Sequence, residues 1–293
     1  MSETIKGCIV KALSGFYYVD DGREIHECRA RGIMRKNGVS PLVGDNAVVS
    51  LQSGCDSIEE IAPRKNMMER PPVANVDRLY IISSYANPAP NTLIIDKLIC
   101  QCELKKIEPI IVFNKCDEGD FTEINEIYRS SGFETHIVSC ETMEGIDELK
   151  QSLTTGISVF TGNSGVGKSS LLNALFPGLN IKTGEISEHL GRGKHTTRHC
   201  ELYSNGVGGF IADTPGFATV DTEPMLKEDV AGCFREFNDY LGMCKFTTCS
   251  HTCEKGCAIL KAVNEVKISR SRHENYCSIY KDSAALNQWE LKK

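Results

Sequence analysis

Residues 160–176 read FTGNSGVGKSSLLNALF and place Gly162, Gly167, Lys168 and Ser169 at the spacing G-x-x-x-x-G-K-S. That spacing grips phosphate. The glycines let the backbone N–H groups of Asn163, Ser164, Gly165, Val166 and Gly167 turn inward, and the N-terminus of the helix that follows adds its positive dipole end. Lys168 neutralises β- and γ-phosphates, and the Ser169 hydroxyl, with Ser170 beside it, is placed to ligate Mg²⁺. Asp213 and Gly216 belong to DTPG after the apolar run GGFIA. An Asp at the end of such a strand holds Mg²⁺ through water, and the Gly N–H meets the γ-phosphate. Asn114, Lys115, Cys116 and Asp117 follow the apolar run PIIVF. A carboxylate there accepts from both N1–H and the exocyclic amine of guanine, whereas adenine offers an acceptor at N1 and no amine beside it, so Asp117 selects guanine.

These groups occur in an unusual order. The base reader comes first, then Ser139 and Cys140, which resemble the Ser-Ala pair whose backbone braces the guanine carbonyl in GTPases; the phosphate loop and DTPG follow. Joining the old ends of a GTPase domain and opening it before the base-reading strands yields this order without moving a residue in space. The reading is a circularly permuted domain. Between the phosphate loop and Asp213 lies GRGKHTTRH, a polar segment suited to a switch. Thr197, with Thr196 close behind, is its candidate for closing on Mg²⁺ and γ-phosphate. Lys168, Thr197, Asp213 and Gly216 form the expected catalytic set. Phe217 stands where many GTPases carry the glutamine that orients water, so slow intrinsic hydrolysis is expected. His195 is a candidate substitute.

A second cluster is of a different kind. Cys244, Cys249, His251 and Cys257 offer three thiolates and an imidazole within fourteen residues, the ligand set of a closed structural Zn²⁺ site, with Cys253 as an alternative ligand. The chain has 14 cysteines in 293 residues and no export signal at its start, so metal ligation explains this group better than a disulfide framework.

The elements that must position these groups follow from the hydrophobic pattern. Residues 6–69 are short apolar alternations broken by turns, the pattern of a small antiparallel barrel. The segment Arg70, Pro71, Pro72 reads as a linker. Apolar strands then alternate with helices of 3.6-residue periodicity, which predicts a parallel sheet covered by helices. From Glu223 the strands stop and a helical, cysteine-rich tail begins. The expected domains are therefore 1–70, a small all-β barrel; 71–222, an α/β P-loop GTPase; and 223–293, a mainly α domain carrying the zinc ligands. The net charge of −6 argues against indiscriminate coating of nucleic acid. Acidic excess lies in residues 71–243, and residues 244–293 are net basic. Arg29, Arg31, Arg35 and Lys36 cluster in RARGIMRKNG, placed to touch RNA phosphates. No apolar run reaches 18 residues, so a cytoplasmic protein without a membrane anchor is expected.

GNSGVGKSS, DTPGF, the upstream NKCD, GRGKHTTRH and CKFTTCSHTCEKGCAI together resemble the bacterial ribosome small-subunit-dependent GTPase A family, over essentially the whole chain. The resemblance implies an OB-fold, a permuted GTPase domain and a zinc-binding domain. It implies action late in maturation of the 30S subunit on its 16S rRNA, by a monomer that cycles between GTP and GDP and is stimulated by that subunit. Two other readings are a GTP-regulated binding module for mRNA or tRNA and an ATP-using P-loop enzyme, the latter opposed by NKCD.

Overall fold

The computed structural model describes residues 3–32, 34, 40–52, 55–179, 200–213 and 223–286. The chain divides into two compact units, one of residues 1–80, 147–162 and 168–220, the other of residues 81–146, 163–167 and 221–293.

The first unit begins with a five-stranded barrel: β1 (Thr4–Leu13), β2 (Phe16–Asp20), β3 (Ile25–Ala30), β4 (Asn46–Ser50) and β5 (Asp56–Ile61). β1 pairs with both β2 and β4, β2 with β3, β4 with β5, and the parallel pair β3–β5 closes the ring, the connectivity of an OB-fold. Alternation along the strands sends Ile9, Val19, Cys28, Ala47, Val49 and Ile58 into one apolar core with Met34. The fully buried Asp45 accepts two bonds from Arg64 at 2.7 and 2.8 Å, which ties the loop before β4 to the end of the barrel segment.

A bulge between Ile9 and Lys11 re-aims β1, and beyond it Lys11 faces Glu201 of β12 (Glu201–Ser204). β12 is antiparallel to β13 (Phe210–Asp213), which runs parallel to β11 (Ile157–Gly162). One strand therefore serves both the barrel and the nucleotide-domain sheet. Every residue of β11 is buried, as a central parallel strand requires. Asp77 of β8 (Val76–Ser84) accepts from the Ile157 N–H at 2.8 Å, and Gly156 leaves room for that carboxylate, since a Cβ there would lie 2.1 Å from Asp77 Oδ2. Tyr80 stacks flat on Phe160 at 4.5 Å. The described helices of this part include α3 (Ile146–Gln151), α4 (Lys168–Leu175) and a 3₁₀ turn at Pro177–Leu179.

The segment expected as a linker is a short hairpin. β6 (Met67–Glu69) pairs with β7 (Pro72–Ala74) across a turn at Arg70 and Pro71. Pro72 is tolerated because it opens its strand, where no ladder donor is needed.

In the second unit β9 (Glu108–Asn114) runs parallel to β10 (Glu134–Val138), with the end of β8 beside β9 in the strand order. α1 (Thr92–Lys105) starts at Asn91, whose side chain accepts from the Ile94 N–H, and ends at Lys106 in the left-handed region. α2 (Thr122–Ser130) precedes β10. The tail carries α5 (Lys227–Val230), two 3₁₀ turns, α6 (Ala258–Asn264) and α7 (Arg270–Ala284) around a core of Val230, Phe234, Phe237, Ile259, Ile268, Tyr276 and Ile279. The tail therefore has an apolar core besides its metal ligands.

Candidate nucleotide and metal sites

Asn114 closes β9 with its side chain 1% exposed, and its Nδ2 donates to the Val166 carbonyl at 2.8 Å. Gly167 takes φ +86°, and a Cβ there would lie 2.4 Å from that same Nδ2. The segment expected to read the base and the expected phosphate loop, 52 residues apart in sequence, thus lock together, and the contact requires glycine at 167. Lys115 turns the chain at φ +67° to present Asp117. The Ser139 hydroxyl accepts from the Glu141 and Thr142 N–H groups at 3.1 Å each, and its own proton points at the Asp117 carboxylate. The Cys140 thiol donates to Asn114 Oδ1 at 3.6 Å, which leaves Nδ2 for the phosphate loop.

Gly162 ends β11, residues 163–167 form the loop, and Lys168, Ser169 and Ser170 open α4, as the motif requires. Asp213 ends β13. Thr197, Gly216, Thr196, His195 and Phe217 lie outside the described residues, as do Arg35 and Lys36 of the basic cluster. Arg29 is exposed with its guanidinium 4.5 Å from the centre of the Phe16 ring, and Arg31 pairs with Glu59 at 2.6 Å.

In the tail, one ligand atom from each of Cys244, Cys249, His251 and Cys257 lies within 4.8 Å of the others. The Cys244 and Cys257 sulfurs are 3.8 Å apart, and His251 Nδ1 is 3.4 and 3.5 Å from them. Tetrahedral Zn²⁺ with bonds of about 2.3 Å to sulfur and about 2.0 Å to nitrogen demands separations of about 3.8 and about 3.5 Å, so the donor set fits that ion. Burial pushes His251 below its ordinary pKa and keeps the imidazole neutral, as a ligand must be. Backbone N–H groups of Ala258 and Leu260 point at the Cys244 and Cys257 sulfurs at 3.3 and 3.5 Å, and Cys257 caps α6, so its thiolate also meets the positive end of a helix.

Sequence reasoning passed over Glu254 here. Its carboxylate accepts from the N–H groups of Ser250, Thr252 and Cys253 at 2.7, 3.2 and 3.2 Å and folds the loop between the ligands. Burial opposes its charge, but these bonds win and hold it down at about 2. A lone Glu between cysteines carries no sequence signal for this role.

A family model described as RsgA GTPase matches residues 61–223, and one described as RsgA N-terminal domain matches residues 6–58. The chain belongs to the RsgA GTPase family. A relative described as small ribosomal subunit biogenesis GTPase RsgA, from Caldanaerobacter subterraneus subsp. tengcongensis, is 44% identical over 284 residues, covering 96% of each chain. Among solved structures, YjeQ from Thermotoga maritima superposes with a TM-score of 0.83 at 32% identity, covering 97% of this chain and 100% of that one. YloQ, described as a circularly permuted GTPase, superposes at 0.80 with 32% identity and 96% coverage of both. The RsgA GTPase architecture is thus an OB-like barrel, a permuted GTPase domain and a tail whose Cys/His cluster is able to hold a metal. As a member of the family the chain is a hydrolase acting on GTP, with Mg²⁺ at the phosphates. Among the described residues no helix is long and apolar enough to cross a membrane.

Proposed function

We propose that this GTPase acts in the cytoplasm, as a monomer, on the maturing small ribosomal subunit, hydrolysing GTP slowly alone and faster when bound to that subunit. The observation that carries the GTP part is the lock between Asn114 and the Val166 carbonyl, which sets a base-reading Asp117 against a phosphate loop. The small-subunit part is supported by relatives described as small ribosomal subunit biogenesis GTPases at 44% and 45% identity. In this reading Lys168 and Ser169 hold the phosphates and Mg²⁺, Thr197, Asp213 and Gly216 complete the site around the γ-phosphate, and the barrel of residues 1–70 meets 16S rRNA. The division at residues 70 and 222 is supported by the change of pattern there, from barrel strands to alternating strands and helices and then to the tail.

GTP turnover with and without purified 30S subunits tests the reading. Stimulation on the order of 10²-fold or more is expected for groups ordered by a partner, and absence of stimulation overturns the ribosomal role. Replacing Arg29, Arg31, Arg35 and Lys36 by Ala is expected to weaken 30S binding and flatten its salt dependence by about one unit of slope for each phosphate no longer neutralised, with the basal rate intact. Arg29 should account for more of this than Arg31, whose charge is already paired to Glu59. Normal 30S binding by the fourfold variant at every salt concentration would mean that RNA docks elsewhere.

The cluster is read as one structural Zn²⁺ per chain. Metal analysis of protein purified without chelator should find it, and an absence of zinc ends the idea. Because the tail has its own apolar core, Cys249→Ser should loosen the loop of residues 241–257 while α6 and α7 stay folded. Hydrogen exchange confined to that loop, with GDP binding retained, is the expected result.

A further inference from the structure

Helix α7 touches two structures at once. On one side His273 Nε2 meets the His251 carbonyl at 2.8 Å and the Tyr276 hydroxyl donates to the Ser250 carbonyl at 2.6 Å, so the helix carries the backbone of the metal cluster. On the other side Arg272 pairs with Asp96, and Asn275 Nδ2 donates to Asp96 Oδ2 at 2.7 Å and to Thr92 Oγ1 at 3.0 Å. Thr92 is the first residue of α1, directly after the Asn91 cap. These bonds therefore fix the opening turn of α1 and with it the segment that leads in, residues 85–91.

That segment reaches the nucleotide site. The Ser84 hydroxyl lies 3.0 Å from the Pro88 carbonyl and 3.4 Å from that of Ala86, which folds the turn. Within it the Asn87 carbonyl lies so close to Gly165 of the phosphate loop that a Cβ on Gly165 would sit 3.1 Å away. Gly165 itself takes φ +86°.

We propose that Asn275 is a positioning residue for the nucleotide: by fixing the first turn of α1 it holds the Asn87–Pro88 turn as a backstop for the phosphate loop. The inference rests on the GTPase reading and goes beyond it by giving the tail a part in nucleotide affinity. The side-chain hydrogen bonds of Asn275 run to Thr92 and Asp96 rather than to the phosphate loop or the Cys/His cluster. A glycine-containing loop without a backstop samples conformations that cannot take phosphate, and binding must then order it at a cost in affinity. The chemical step on bound GTP is unaffected.

The test uses the full chain, with fluorescent GDP and a non-hydrolysable GTP analogue as probes. Asn275→Ala should bind both about fivefold or more weakly, keep the basal kcat at saturating GTP and speed hydrogen exchange over residues 84–91. Asn275→Asp keeps the shape but sets a carboxylate against Asp96, and should weaken binding further. Asp282→Ala removes the Lys97–Asp282 pair (2.7 Å) at the other end of α7 and should leave affinity unchanged. If Asn275→Ala does not fold, Thr92→Val, which deletes one acceptor alone, carries the same expectation in milder form. Wild-type affinity in a folded Asn275→Ala protein overturns the inference, as does an equal loss in Asp282→Ala. Failure of the wild-type protein to bind guanine nucleotide would instead sink the GTPase reading beneath it.

Discussion

Asp117→Asn should lose GTP affinity by about 10²-fold or more and gain affinity for xanthosine triphosphate. The loss is two charge-assisted hydrogen bonds to guanine, each about 1.5 kcal/mol or more. The gain depends on which way the new amide points, and Ser139 decides that. Its oxygen is occupied by the Glu141 and Thr142 N–H groups, so its hydroxyl can only donate. The amide must therefore turn its oxygen to Ser139 and its NH₂ to the base, where xanthine presents a C2 carbonyl. Competition of the two nucleotides against labelled GDP measures the exchange. Adding Ser139→Ala to Asp117→Asn should abolish the xanthine preference, because nothing then fixes the amide. Unchanged GTP affinity in Asp117→Asn would mean that this carboxylate does not read the base.

Arg272→Ala should cost about 3–5 kcal/mol of stability in the second unit. The guanidinium is 1% exposed and pairs with Asp96 and Glu236, 0% and 7% exposed, while lying 4.6 Å from the centre of the Phe234 ring. Burial works against its charge, but the two carboxylates outweigh it and raise its pKa above the ordinary value. Removing Arg272 leaves two carboxylates buried without a counter-charge, which is what makes the loss large. Proteolytic susceptibility of the tail in urea reports it. Replacing the whole group, Arg272→Met with Asp96→Leu and Glu236→Leu, should cost far less. A shift below about 1 kcal/mol for Arg272→Ala would show that water reaches the carboxylates.

These two predictions differ in how much of their basis could be read from the sequence. The placement of Asn114 and Asp117 after β9, of the glycine-rich loop between β11 and α4, and of the four Cys/His side chains in one cluster was legible, because such chemistry demands fixed residue types at short spacing, the first two beside apolar runs that mark strands. The barrel was legible from its two-residue alternation. Arg272, Asp96 and Asn275 were not: a charged residue in a helical pattern reads as solvent-facing, and only the fold shows that partners 176 residues apart meet out of water. The hairpin at Met67–Ala74 was hidden by its prolines, which suit a strand opening as well as a linker. Pairing between β1 and β12 leaves no local trace, since long-range register is set by neighbours the pattern does not name.

That last pairing bears on how the chain is made. All the strand partners that close the barrel lie within Thr4–Ile61, so the ring can close while most of the polypeptide is still in the ribosomal tunnel or unsynthesised. Lys11 must wait for Glu201, 190 residues later. Until then the far end of β1 is an open edge, and Lys11 at that position is the kind of side chain that discourages a neighbouring nascent chain from adding a strand there. In the finished molecule the same lysine pairs with Glu201 at 3.0 Å, so one residue guards the edge during translation and seals it afterwards.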